Sequence, residues 1–246
     1  MSTSATIPQS QPPLSEGARL INTFAAPSKT FTDIRRNASW WVPWLLMSVM
    51  SICFMAVVGQ KIGYEQITRN QISQSSRAAQ FEQLPPEQQE RQMRMSESIM
   101  KYAGYASPVT VLLVAIIVAA VLMGLFNFGA GAEVPFRQSL AVVFYAWLPS
   151  ILGSILGIVS LLVGVDPEGF NIQNPVATNP AYFMNPTQNK FLYGMASALD
   201  VFTIWTIILM GIGFSSVSKV KKGTALAMIV GIYLVYKLVV SGVSAI

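Results

Sequence analysis

Two ionisable residues stand inside apolar runs near the C-terminus, Asp200 in LDVFTIWTIILMGIGF and Lys237 in IYLVYKLVV. A charge within the hydrocarbon layer is costly, so each marks a functional position by default. Asp200 precedes Phe214 by about 21 Å of helix, and Lys237 follows Thr224 by about 20 Å, at a rise of ~1.5 Å per residue. A short loop joins the two helices antiparallel, which brings both groups to the same depth and poises them to pair. Two chemistries fit such a pair. One is a proton or ion relay. The other is a structural ion pair or hydrogen-bond clasp between helices, with Lys237 free to snorkel outward instead. A relay needs further titratable partners, and none lies nearby in the sequence, so the structural account is preferred. Other chemistries fail for want of residues. Histidine is absent, which removes the commonest general base and metal ligand. Cys53 is the single cysteine, so no intramolecular disulfide forms. An intramembrane aspartyl protease needs a second aspartate within a span. No catalytic, metal or cofactor site is expected, and the chain reads as a non-enzyme.

Small and kinking residues form the second group. Pro149 frees a backbone carbonyl within the third apolar stretch, and Gly153 and Gly157 make a small-xxx-small pair on one helix face. With Trp205 they are candidate helix-packing positions. A pathway made from a broken helix is the sharper alternative. Tyr145 and Trp147 suit packing or the aromatic belt, and Trp40, Trp41 and Trp44 suit the belt.

The elements that must position these residues are membrane spans. Apolar residues make up 52% of the 246 and charged residues 11%, against about a quarter charged in soluble domains. Crossing the hydrocarbon takes about 20 apolar residues in a helix, and five stretches qualify. They run from Trp40 to Gly59, Pro108 to about Phe128, about Leu140 to Gly164, near Leu192 to near Phe214 with Asp200 inside, and Thr224 to about Val240. The expected fold is all-α, a polytopic bundle of about five transmembrane helices. Residues 1–15 are expected to be a disordered tail and 16–39 a juxtamembrane amphipathic segment of two short helices broken at Pro27. The membrane domain then covers 40–246. In the amphipathic segment Leu20, Ile21, Phe24, Phe31 and Ile34 line one side, leaving Arg19, Lys29, Arg35 and Arg36 for the polar side. Residues 61–107 are a polar insert, read as a helical hairpin meeting at Pro85-Pro86, its second helix carrying Met95, Ile99 and Tyr102. Residues 165–188 hold three Asn-Pro pairs and read as a loop without a regular element.

Net charge is +5, from 16 Lys+Arg against 11 Asp+Glu. The cations flank apolar runs, where anionic headgroups lie, and no basic patch interleaved with aromatics suggests nucleic acid. Lys29, Arg35, Arg36, Lys219, Lys221 and Lys222 are candidate headgroup contacts. Short cytoplasmic loops collect Lys and Arg, so the N-terminus and the lysine turn are placed in the cytoplasm, with the polar hairpin and the Asn-Pro loop outside.

Four stretches carry a family resemblance. PSKTFTDI from Pro27 to Ile34, followed by Trp40 and Pro43, resembles the approach to the first span of the Yip family, the Ypt/Rab-interacting membrane-domain proteins, in their bacterial form. FRQSLAVVFYAWLPSIL from Phe136 to Leu152 is similar to that family's centre, and Leu199 to Val230 to its closing pair of spans. The Asn-Pro loop sits where bacterial members carry one. The resemblance implies five spans and a cytoplasmic N-terminus, which places the chain in a bacterial cytoplasmic membrane. Eukaryotic members are implicated in vesicle traffic, small-GTPase binding and membrane shaping. Those that bind Rab proteins carry an acidic tract before the first span; residues 1–39 hold none, so GTPase binding is not carried over. The expected role is a membrane-organising adaptor or scaffold acting through lipids, a membrane-protein partner or a second copy. The alternative is a small transporter or channel subunit using the last three spans.

Overall fold

The computed structural model describes residues 12–75 and 78–245. Most of the tail expected over residues 1–15 therefore lies outside the described residues. The chain is all-helical there, and five helices are long and apolar enough to cross a membrane: Trp41–Lys61, Ser107–Ala130, Phe136–Val163, Val201–Ser218 and Lys222–Ser244.

Local chemistry sets the ends of the elements. α1 (Glu16–Ala25) starts where the Ser15 hydroxyl accepts from the Ala18 amide at 3.2 Å. Pro27 opens α2 (Pro27–Ile34), giving the expected break. α3 (Trp41–Lys61) is the first span. The polar insert forms three helices instead of two, α4 (Tyr64–Ser73), α5 (Ala78–Glu82) and α6 (Pro86–Tyr105). The turn at Gln74 ends α4 where hydropathy alone leaves the helix continuous. Met95, Ile99 and Tyr102 lie exposed along α6. α7 (Ser107–Ala130) ends at Gly131 in the left-handed region, φ 63°, where glycine carries no Cβ penalty.

The third span is two helices in series, α8 (Phe136–Ala146) and α9 (Pro149–Val163). Pro149 lacks the amide that would continue α8, and it serves as a first-turn residue for α9. The Asn-Pro loop contains a 3-10 turn, Pro180–Phe183, where no regular element was expected. A separate helix follows, α10 (Lys190–Ser197), and only then the fourth span, α11 (Val201–Ser218). Asp200 thus stands at the start of the fourth span and not inside it. α12 (Lys222–Ala245) closes the chain.

α8 is the centre of the molecule, with every residue from Ser139 to Ala146 buried. The Ser139 hydroxyl donates to the Ala119 carbonyl of α7 at 2.7 Å. α3 is tied to α7 by the Trp44 indole on the Pro108 carbonyl at 3.1 Å and by Ser51 to Ser107 at 2.7 Å. At one end lie Arg35, Arg36, Arg137 and the Lys219–Lys222 turn, called the basic face below. At the other, the Asn70 amide of α4 donates to the carbonyls of Pro167 and Phe170 at 2.8 and 2.9 Å, pinning the polar insert to the loop after α9. There the Tyr64 ring fits against Gly59, where an added Cβ would come within 2.5 Å of it. Burial, together with the neighbouring Tyr105 hydroxyl 3.2 Å away, pushes the Tyr64 phenol up to about 12.

Candidate functional site

Two polar assemblies are embedded in this apolar frame. The first joins the N-terminal hairpin to the bundle. α2 packs along α11 and touches α8, and Phe31 lies where a Cβ on Gly213 would come within 3.0 Å of its ring. Between the arms of the hairpin the Arg19 Nε donates to Asp33 Oδ2 at 2.7 Å, and Arg19 Nη1 to Glu16 Oε1 at 3.3 Å. Glu16 Oε2 accepts from the Tyr145 hydroxyl of α8 at 2.8 Å. The Thr23 and Thr30 hydroxyls both donate to the Arg19 carbonyl, at 2.8 and 2.9 Å. Arg19 is fully buried, although its charge places it on the polar side in a sequence reading. The signal was present: Arg19 and Asp33, like Thr23 and Thr30, lie at nearly equal distances either side of the Pro27 turn. Residues so placed meet across an antiparallel helical hairpin. The Phe24 ring reaches Trp205 edge-on at 5.6 Å, which gives that tryptophan its packing partner.

The second assembly closes one end of a cavity of about 1230 Å³. Phe54 of α3, Val121 of α7, Gly153 of α9 and Ile232 of α12 are among its apolar walls. Asn174, Thr178, Tyr193, Ser197, Asp200 and Lys237 line its end far from the basic face, and Ser150, Ser154 and Thr206 line it further in. Asp200 caps α11, with Oδ1 accepting from the Thr203 amide at 2.9 Å. Its Oδ2 accepts from the Thr178 hydroxyl. Lys237 Nζ donates to Ser197 Oγ at 3.0 Å, and the Tyr233 hydroxyl donates to the Ala198 carbonyl at 3.3 Å. Asp200 and Lys237 therefore reach one cavity, each with its own neutral partners. Among the described residues no ion pair joins them.

The remaining candidates are placed as follows. A Cβ on Gly153 would approach the Phe202 ring to 3.2 Å, and one on Gly157 the Phe54 ring to 2.9 Å, so α9 meets α11 and α3 at its two glycines. Lys29, Arg35, Arg36, Lys219, Lys221 and Lys222 are all exposed. Lys219 is in the left-handed region at φ 63°, which reverses the chain into α12. Among the described residues no group of three His, Cys, Asp or Glu side chains could hold a metal ion.

Of the residues in the two assemblies, Asp33, Tyr145 and Asp200 lie in the stretches that carry the family resemblance, and Asn174 and Thr178 in the Asn-Pro loop. No curated protein matches the chain, and no solved structure does. A family model does: the chain belongs to the Yip1 domain family, whose model matches residues 21–244.

Proposed function

We propose that this multi-pass membrane protein is a non-enzymatic membrane-organising adaptor that works through lipid and protein contacts, in a bacterial cytoplasmic membrane with its N-terminus inside. What supports this is an apolar band along α7, α11 and α12 between the two polar assemblies. Every residue between Thr110 and Asn127 of α7 is apolar. The same holds between Thr206 and Ser215 of α11 and between Thr224 and Tyr233 of α12. Across that band Phe126 and Phe214 stack at 4.7 Å, and Phe31, Leu148 and Leu209 are fully or almost fully buried. The serines of α3 and α9 are already engaged, Ser48 and Ser150 on the Trp44 and Trp147 carbonyls and Ser51 on Ser107, so moving an ion through this layer carries a desolvation cost that little offsets. What remains for the protein is what its surfaces do. Exposed basic groups meet headgroups, exposed apolar helices meet acyl chains, and the polar insert and loop are available to partners.

The transporter alternative has one observation in its favour, since ionisable groups approach the core from both faces. Proteoliposomes containing the purified protein separate the two. An adaptor gives no proton, sodium or potassium flux above protein-free vesicles, and purification in mild detergent brings down a defined partner or a homo-oligomer. Flux that depends on Asp200 or Glu16 overturns the proposal.

A further inference from the structure

The cavity that ends at Asp200 and Lys237 opens sideways, and the opening has a cause in the helix packing. α7 and α12 meet near the basic face, where a Cβ on Gly129 would lie 3.6 Å from the tip of the Met228 side chain. The two spans are otherwise not packed along their length. Ile117 and Val121 of α7 and Val235 and Val239 of α12 line the cavity, yet each stays about half exposed or more. The slot between these two spans therefore faces the hydrocarbon of the bilayer, and what can enter there is apolar along its length. The volume, about 1230 Å³, exceeds the ~300–1,000 Å³ usual for small-molecule pockets.

The polar end fixes the rest of the occupant. Lys237 lies about 22 Å along α12 from Lys222, against a hydrocarbon thickness of ~30 Å. A lysine side chain at that depth reaches its ammonium up to the headgroup boundary. That ammonium meets only the Ser197 hydroxyl, and no carboxylate lies within ion-pair distance of it among the described residues. The Asp200 carboxylate is held by a backbone amide and the Thr178 hydroxyl, both neutral, so its charge too is unmatched. One unmatched cation and one unmatched anion at the mouth of an apolar slot are complementary to a zwitterion carrying acyl chains.

We propose that the cavity is a binding site for one zwitterionic phospholipid. Its phosphate is received by Lys237, its headgroup ammonium by Asp200, and its acyl chains by the slot between α7 and α12. The Asn174, Thr178 and Tyr193 side chains stand at the same end to take headgroup oxygens. This deepens the lipid-contact part of the adaptor proposal and rests on it, but an ion-flux result leaves it untouched.

Native mass spectrometry on delipidated protein, titrated in detergent micelles with phosphatidylethanolamine or phosphatidylglycerol, tests it. The expected result is one tightly held phosphatidylethanolamine per chain, preferred over phosphatidylglycerol, with glycerophosphoethanolamine failing to compete for want of chains. Lys237→Met should weaken retention about tenfold, the loss of one charge-assisted contact. Asp200→Asn keeps the helix cap and should abolish the headgroup preference. Ile117→Trp and Val235→Trp change half-exposed positions that need not disturb folding, and each should block the slot. Equal retention by wild type and Lys237→Met, or by wild type and both tryptophan variants, would show annular lipid only and overturn the site. A preference for phosphatidylglycerol in the wild type, or displacement by the chain-free headgroup, would overturn the assigned occupant.

Discussion

Arg19 is costly to misplace, because its fully buried guanidinium is paired with Glu16 and Asp33. Breaking a buried pair by removing one partner typically costs about 3–5 kcal/mol, whereas replacing the whole pair is often nearly neutral. Arg19→Met and Asp33→Asn should therefore each lower thermal stability in detergent sharply, while the double variant recovers more than half of the summed loss. Simple addition of the two losses would mean that the contact does not stabilise the hairpin. A second cycle applies at the other assembly. Asp200→Ala loses a cap worth about 0.5–2 kcal/mol and strands the Thr178 hydroxyl, so it should couple strongly to Thr178→Val. In lipid-free detergent it should not couple to Lys237→Met. Coupling between Asp200 and Lys237 there would restore the direct pairing that sequence spacing suggested. Spacing along two antiparallel helices suggested one depth for both residues, and both line one cavity, with Asp200 at the start of its helix. It could not foresee that a residue from the Asn-Pro loop, Thr178, would reach Asp200 first.

At the scale of elements, hydropathy was a faithful guide wherever lipid alone decides. The first, second and fifth spans fall within a few residues of their apolar runs because each must hide its backbone amides in a helix of bilayer length. The guide failed where the backbone turns without becoming polar. Phe191 to Ala198 is apolar enough to read as part of the fourth span, yet α10 ends at Ser197 and the chain restarts at the Asp200 cap. The aspartate was read for its charge within the span, when its side chain captures an amide and begins a helix. At Gly153 and Gly157 the close approach of a neighbouring ring demands glycine, although nothing in the sequence says which rings cross them. Gly157 lies 2.9 Å from the Phe54 ring at its absent Cβ position, so Gly157→Leu should push α9 off α3. Overpacking of this kind costs about 1–3 kcal/mol. Phe54→Ala in the same chain should return part of that stability by clearing the space, as read by thermal unfolding. A Gly157→Leu protein as stable as wild type would show that α9 and α3 part at no cost.

The whole molecule has two unlike faces, and we propose that their difference sets its orientation. The face bearing Arg35, Arg36, Arg137 and the Lys219–Lys222 turn is exposed and lies against span ends, with Glu133 exposed beside it and Asp33 buried against Arg19. The opposite face carries as many cations, but they are dispersed through the polar insert, where Arg69 pairs with Glu65 and Arg94 with Glu90, each at 2.7 Å. Orientation follows Lys and Arg in short loops close to span ends and gives acidic residues little weight. The pairing therefore does not decide the matter. On this proposal proximity does: three lysines in the turn between α11 and α12 stay on the side where the chain is made, since otherwise they are carried through the hydrocarbon. Cys53, exposed on α3, is first replaced by serine. Single cysteines are then placed at Gln188 in the Asn-Pro loop and at Lys221 in the lysine turn, both exposed. In intact cells a membrane-impermeant maleimide should label the Gln188→Cys protein and reach the Lys221→Cys protein only after permeabilisation. The reverse pattern would invert the molecule and place the headgroup end of the lipid slot in the cytoplasmic leaflet. Labelling of both sites in intact cells would break the five-span count.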